Sequence, residues 1–502
     1  MLDHLPVLPI IVPLIAAPLC VLVRQRRMSL GIALVVSWAT FALTATLLVT
    51  VLDKGEQVYA LGGWVAPWGI EYRVDALSAF VLLFVSGIGA TVLSFAPLSV
   101  DREVPRDLHY LFYTEYLLCL TGLLGIVITG DMFNVFVFLE ISSLSAYAMI
   151  SLGKSRRALT ATFQYLVMGT IGATFILIGI GLMYMMTGTL NMADMAVRLQ
   201  QTTEINGTSR LVIETRTILV AFAFLSVGIS LKMALFPLHM WLPNAYTYAP
   251  SAVTAFIAAT ATKVSVYVLL RFVFTIFGTS FAFTKLPLDT GLMVLSLIGI
   301  VAASTAAIFQ TNVKRLLAYS SIAQVGYMVL GISFASVSGL TGGISHMFNH
   351  ALIKGGLFLA TGCLAYRLGS LRVDDLRGIG RRMPVTMFAW VVGGLGLIGV
   401  PVTAGFISKW YLMSAALERG WWPVALLVLL SSLLAVIYVW RVVEVAYFEE
   451  PLEEHATVKE APVAMLIPTC LLIGATVVFG IWTDWSAGVA QAAASLLLGG
   501  TP

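Results

Sequence analysis

Residues 110–152 read YLFYTEYLLCLTGLLGIVITGDMFNVFVFLEISSLSAYAMISL, two apolar runs joined by one Gly-Asp pair. A helix rises 1.5 Å per residue, so about 20 residues cover the roughly 30 Å hydrocarbon core of a bilayer. Neither run has the ten-residue polar/apolar alternation of an outer-membrane barrel strand, and a helix satisfies its own backbone hydrogen bonds in lipid. The stretch therefore reads as a hairpin that crosses a membrane twice, with Glu140 well inside its second arm.

The same pattern recurs from end to end. Apolar runs occupy roughly 5–23, 29–52, 74–98, 110–130, 132–152, 160–187, 216–247, 250–278, 287–310, 314–334, 340–366, 384–417, 422–448 and 462–484, fourteen in all. Of 502 residues, 59% are hydrophobic and 11% charged, with a mean hydropathy of +0.95, which leaves too little polar surface for a fold in water. The expected fold is all-α, a polytopic membrane protein of about 14 transmembrane helices.

Orientation follows from the cationic residues, because short cytoplasmic loops retain Lys and Arg. Odd-numbered loops carry 17 of the 29, among them Arg24, Arg26, Arg27, Arg156, Arg157, Arg381 and Arg382, and even-numbered loops carry eight. Odd loops are thus expected in the cytoplasm and both termini outside it, in a multi-pass protein of the inner (plasma) membrane. The first run is read as a mature helix rather than a signal peptide, since its arginines follow the run instead of preceding it. The net charge of +4 sits mostly in these loops and is a topology signal, so no nucleic-acid partner is expected. Cys20, Cys119, Cys363 and Cys470 stand singly in apolar runs, which argues against a metal cluster or a disulfide framework.

Four lysines belong to no loop: Lys232, Lys263, Lys354 and Lys409. A lysine at mid-helix costs about 2.5–3.5 kcal/mol on insertion scales, so each is expected to face a polar interior. Glu140 is the acidic counterpart, nine residues past Asp131, or about 13 Å along the helix. Ser142, Ser143 and Ser145 follow it and are expected to hydrate or hydrogen-bond its carboxylate. The bland alternative is a static ion pair that packs helices.

In HMFNHALIKGG, His346, His350 and Lys354 follow one another at intervals of four and occupy one helix stripe. Imidazole exchanges protons near neutral pH, so the stripe reads as a proton path. A zinc pair is the competing reading, but HMFNH lacks the glutamate of a zincin helix and no third ligand is evident, so no metal is expected. His239 in FPLHMWLP admits two readings, a cap or interfacial donor and a pathway residue. His4, His109 and His455 fall near span ends and are expected to be solvated.

Two runs carry helix breakers beside their lysines: LKMALFPLHMWLPNAY around Lys232 and GVPVTAGFISKW before Lys409. Proline removes a donor and frees carbonyls, which membrane proteins tolerate mainly where they line a cavity. The broken runs are five segments apart and so run in opposite directions, the pattern of inverted repeats. The expected organisation is helices 1–3 over 1–109, one five-helix repeat over 110–278, an inverted second over 287–448, and a loop with a final helix over 449–502.

Together GDMFNVFVFLEISSLSAY, KMALFPLHMWLPNAYTYAPSAVTAF, KRLLAYSSIAQVGY, HMFNHALIKGGLFL and PVTAGFISKW resemble the proton-translocating antiporter-like family, in the same order over about 110–448. That family includes the D subunit of Mrp-type multisubunit cation/proton antiporters and the antiporter-like subunits of respiratory complex I. The resemblance implies that Glu140 and Lys232 form a regulated ion pair and that Lys263 sits at a central junction. It also implies that His346, His350 and Lys354 link Lys263 to Lys409, which exchanges protons with the far side. FNVFVFLE is more similar to the Mrp D subunit than to complex I. Lys409 departs from the M-type subunit of complex I, which usually has glutamate there, but not from the N-type.

The resulting expectation is a subunit that conducts protons along a buried Glu/Lys/His axis in a multisubunit sodium/proton antiporter, with other membrane subunits as partners. The alternative is a proton-pumping subunit of a redox-driven complex of the complex I or membrane-bound hydrogenase type. No phosphate-binding loop and no flavin, quinone or iron–sulfur motif is present, so no cofactor is expected; GLGLIG lies inside an apolar run, where its glycines permit close packing. A third class, a scaffold whose charges merely pair across helices, fits poorly with four buried lysines and one buried glutamate.

Overall fold

All fourteen apolar runs are helical, and the two that contain breakers are split. The structure, a computed structural model, describes residues 4–205 and 208–500. The outermost residues of the flanking segments, 1–3 and 501–502, lie outside the described residues. Helices α1 (Leu8–Val23), α2 (Arg26–Lys54) and α3 (Ala76–Glu103) precede α4 (His109–Ile128), α5 (Met132–Ser151) and α6 (Arg156–Thr187). A short α7 (Met192–Leu199) leads to α8 (Arg216–Met233), α9 (Leu242–Tyr248) and α10 (Ser251–Leu270), which continues as a π-helical turn over Arg271–Phe277. The second half holds α11 (Leu288–Ile308), α12 (Val313–Ser333), α13 (Val337–Leu368), α14 (Pro384–Ile398), α15 (Ala404–Glu418) and α16 (Trp422–Tyr447). Two more, α17 (Val463–Ile481) and α18 (Thr483–Leu497), close the chain; α18 lies beyond the last expected span.

Among the described residues, twelve segments are long and apolar enough to cross a membrane, and α1 and α14 are apolar but shorter. The molecule is a polytopic helical membrane protein. Its only strands among the described residues form two short antiparallel hairpins, β1 (Gln57–Ala60) with β2 (Glu71–Val74) and β3 (Thr202–Ile205) with β4 (Thr208–Leu211), both in connections between helices.

Burial sorts the helices into a centre and a rim. The most apolar windows of α3 and α12 are 89% and 94% buried, whereas those of α2, α6, α11, α16 and α17 are 39% buried or less and turn apolar side chains outward. A helix enclosed on all sides needs no polar face, so the central helices show no amphipathic stripe and read as uniformly apolar. The polar residues they do carry are therefore inside.

At the first break, α8 ends where Ala234 adopts a left-handed conformation (φ 59°), and Pro237 follows before α9 begins. The Trp241 indole donates to the Leu231 carbonyl at 3.0 Å, a second donor beside the Ala234 N–H at this helix end. At the second, α14 ends on Gly399 (φ 84°), and α15 starts in backbone contact with it: a Cβ added at Gly405 would lie 1.9 Å from the Gly396 carbonyl oxygen. Only glycine fits that crossing.

A backbone device recurs in the two halves. Before α5, Asp131 bridges Asn191, with Met132 N donating to Leu190 O and Met192 N to Gly130 O, both at 2.9 Å. Before α12, Asn312 bridges Arg372, with Val313 N donating to Leu371 O and Val373 N to Thr311 O, again both at 2.9 Å. Asp131 and Asn312 each also cap the helix they precede, accepting from Asn134 N and Arg315 N.

Candidate functional site

The four intramembrane lysines are all buried, Lys232 and Lys409 at the two breaks and Lys263 and Lys354 in the enclosed centre. Lys232 occupies the last turn of α8, where its ammonium stands 3.5 Å from the Glu140 carboxylate of α5 and donates to Ser143 Oγ at 2.9 Å. Ser142 donates to its own helix at Leu139 O. The serines after Glu140 thus serve the lysine and the backbone, not the carboxylate, whose Oε1 has no hydrogen bond. The helix explains this: Ser143 lies three residues from Glu140 on the same face, so the two reach the same ammonium side by side.

Lys263, on α10, is wholly buried and donates to Ala258 O at 2.5 Å. A 30 Å³ cavity lies between Lys232 and the α10 face formed by Ala261, Val264 and Ser265, enough for about one or two waters. His346 and His350 are both buried on α13. The two imidazoles stack with their planes 4° apart and centroids 5.9 Å apart, as i, i+4 neighbours on α13.

These histidines are held differently. His346 bonds Ser408 Oγ through Nδ1 and donates to Gln324 Oε1 through Nε2, both at 2.8 Å. His350 is 1% exposed and neither of its nitrogens has a partner. A buried imidazole without partners costs free energy unless a water or a transient donor reaches it. Lys354 donates to Leu317 O at 2.7 Å and to the Ser320 hydroxyl.

At the far end, Lys409 of α15 turns back to the break. It donates to Leu397 O at 3.1 Å, Ile398 O at 2.8 Å and Ser432 Oγ at 2.9 Å, and lies 4.9 Å from the centre of the Tyr327 ring. The carbonyls freed at the end of α14 and an aromatic face thus hold the ammonium. Among the described residues no carboxylate lies within ion-pair distance of Lys263, Lys354 or Lys409. No group of three potential metal ligands occurs among them either.

His239 stacks on Phe236 in the first break, its Nδ1 unpartnered. His109 and His455 are not solvated. His109 is fully buried and bonds Val104 O, and His455 is 5% exposed and bonds Arg377 O. Both cap connections that fold back on the helices, which position near a span end does not reveal. Sequence reasoning also missed Gln324, Ser408, Ser432 and Tyr327, the polar neighbours of His346 and Lys409.

Known proteins share this architecture. The family model described as NADH:quinone oxidoreductase/Mrp antiporter, transmembrane, matches residues 129–437. The chain is 40% identical to the N subunit of the NADH-quinone oxidoreductase of Desulforudis audaxviator, over 96% of this chain and 97% of that protein. It is 31% identical to the D subunit of the Na(+)/H(+) antiporter of Bacillus subtilis, over 99% and 98%. Among solved structures, a chain of the archaeal membrane-bound sulfane sulfur reductase matches with a TM-score of 0.88 at 30% identity, over 99% of this chain and 98% of that one. A chain of the Mrp complex from Dietzia sp. matches in fold with a TM-score of 0.89 at 23% identity, over 99% and 97%.

Proposed function

The chain belongs to the NADH:quinone oxidoreductase/Mrp antiporter transmembrane family, and from that premise we propose that it conducts protons through a multisubunit sodium/proton antiporter of the plasma membrane. The path runs from Glu140 and Lys232 through Lys263, His350, Lys354 and His346 to Lys409; His239 stands beside its entry. The observation that carries this reading is the imbalance of charge: of the buried Lys232, Lys263, Lys354 and Lys409, only Lys232 has a carboxylate within ion-pair distance among the described residues. A static scaffold would leave three unpaired ammonium groups at a standing cost. A relay needs them, because each is able to give up its proton as a neighbour gains one.

Breaking the Glu140–Lys232 pair leaves Lys232 uncompensated, raises the repulsion on Lys263 and drives proton release further along. Lys409 then hands the proton to the opposite side and is re-protonated when the pair re-forms. The recurring backbone bridge and the two breaks support reading 110–278 and 287–448 as inverted repeats, flanked by 1–109 and 449–502. The lysine and arginine distribution supports both termini outside the cytoplasm.

Sodium as the coupled cation rests on the name of the Bacillus subtilis relative. The 40% identity to an NADH-quinone oxidoreductase subunit favours a second reading, the same axis driven by electron transfer in neighbouring subunits. The purified complex, reconstituted in sealed vesicles, separates them. A sodium gradient alone is expected to move protons; a proton response that needs a reductant and acceptor, and ignores sodium, selects the second reading. Absence of both overturns the proton axis.

A further inference from the structure

We propose that the large cavity beside Asp75 and Arg271 is the mouth of a water path that reaches Lys232 from that face of the membrane, with the Asp75–Arg271 pair as its gate. This deepens the proton-conduction reading and rests on it.

Three cavities lie in series. The outermost, about 600 Å³, opens between the end of α2, the start of α3 and the end of α10, with Leu496 of α18 on its wall. A second, of about 10 Å³, shares Thr129, Met192, Tyr267 and Arg271 with it. The third is the 30 Å³ cavity at Lys232 and Ser143, which shares Ile126 and Val268 with the second. The inner two have room for about one water and about one or two. The side chains of Ile126 and Val268 border both.

One face of α10 borders the whole series. Ala261, Val264 and Val268 line the cavity at Lys232, and Val268 and Arg271 the next one out. From 261 to 271 a helix rises about 15 Å, half the hydrocarbon core.

The gate is polar and fully engaged. Arg271 donates to Asp75 Oδ1 at 2.5 Å, to Ser78 Oγ at 2.9 Å and, through Nε, to the Tyr267 hydroxyl at 2.8 Å. Tyr267 in turn donates to Val127 O at 2.7 Å. Arg271 and Tyr267 border both the mouth and the first inner cavity, so a swing of the guanidinium toward the mouth joins the two. A clasp that only fastened α3 to α10 would have packed side chains behind it, not a water-sized space continuing to a lysine.

Cys119 lines the innermost cavity and supplies the test. In the complex with Cys20, Cys363 and Cys470 replaced by serine, Ag+, a monovalent cation small enough to follow water, is added to vesicles from the Asp75 face, and thiols protected from later alkylation are counted. Cys119 is expected to react from that face and not from the other. Asp75→Asn with Arg271→Gln, which removes both charges and leaves neither unpaired, is expected to speed the reaction at least tenfold. Val268→Phe is expected to abolish it. A Thr129→Cys variant checks the mouth, reacting also with a bulky impermeant methanethiosulfonate. An unreactive Cys119 beside a reactive Thr129→Cys, an equal rate from both faces, an unchanged rate in the double variant, or labelling that survives Val268→Phe overturns the proposal. Labelling reads the water path without transport, so its failure leaves the sodium-gradient experiment intact, and failure of that experiment leaves the labelling result intact.

Discussion

The two broken helices place a lysine beside each interruption, yet they hold it by opposite means. Lys232 precedes its break and meets a carboxylate 3.5 Å away, while the Trp241 indole takes up the Leu231 carbonyl. Lys409 follows its break and meets no carboxylate; the open carbonyls of Leu397 and Ile398, the Ser432 hydroxyl and the Tyr327 ring stabilise it. A lysine held by dipoles loses its proton without stranding a charge. One held by a carboxylate strands that carboxylate when it does so, which ties its protonation to the position of α5. On the proposed path the first break is the switch and the second the exchange point.

The sharpest way to break this contrast is Lys409→Arg. Arginine keeps the positive charge but does not deprotonate in proteins. The variant is expected to assemble normally and to lose proton transport by on the order of a hundredfold, the scale of a missing acid–base group. Lys409→Glu, which still exchanges a proton, is expected to keep partial activity in the same vesicle assay. Parental transport by the arginine variant would make Lys409 a fixed structural charge.

Next in size, Glu140→Gln is expected to leave the protein inserted and to cut coupled transport at least tenfold, because the charge and not an amide is needed. Lys232→Ala is expected to do the same, and the double variant little more than either single, as residues of one switch are not additive. Independent, additive losses measured in reconstituted vesicles would dissolve the switch.

Between the two breaks, His350→Ala is expected to slow transport several-fold, whereas chelators and added zinc leave the parent rate unchanged. Stoichiometric zinc in the purified protein would turn the stripe into a metal site. The smallest effect is structural. Trp241→Phe leaves the Leu231 carbonyl with the Ala234 N–H alone and is expected to destabilise the protein by about 0.5–1.5 kcal/mol, the net worth of one hydrogen bond, read as a lower unfolding midpoint in detergent.

How legible the molecule is in its sequence depends on whether a residue breaks a pattern. Lys263 and Lys354 interrupt apolar runs, and the 346–350–354 spacing follows from helical arithmetic, so the residues of the proposed axis stand out in the sequence alone. Pro237 and Gly399 announce the breaks for the same reason. Gln324, Ser408 and Ser432 are ordinary small or polar residues, and nothing local says that they turn toward His346 or Lys409. The α12 window that contains Gln324 is 94% buried, so no amphipathic period marks its inward face. Arg271 is hidden by its address at the end of a run, where it passes for a loop cation; its spacing of eight from Lys263, through Tyr267, was the available signal.

The paired backbone bridges decide where this molecule is able to yield. Asp131 with Asn191 and Asn312 with Arg372 tie the start of one helix to the chain leaving the next, so the α5–α6 and α12–α13 hairpins each behave as a braced frame, closed at the end opposite its turn. Neither interrupted helix carries such a brace, and each lacks a stretch of its own hydrogen-bond ladder. Load applied anywhere on the bundle concentrates at these two compliant joints, beside Lys232 and Lys409, much as a stiff truss bends only at its pins.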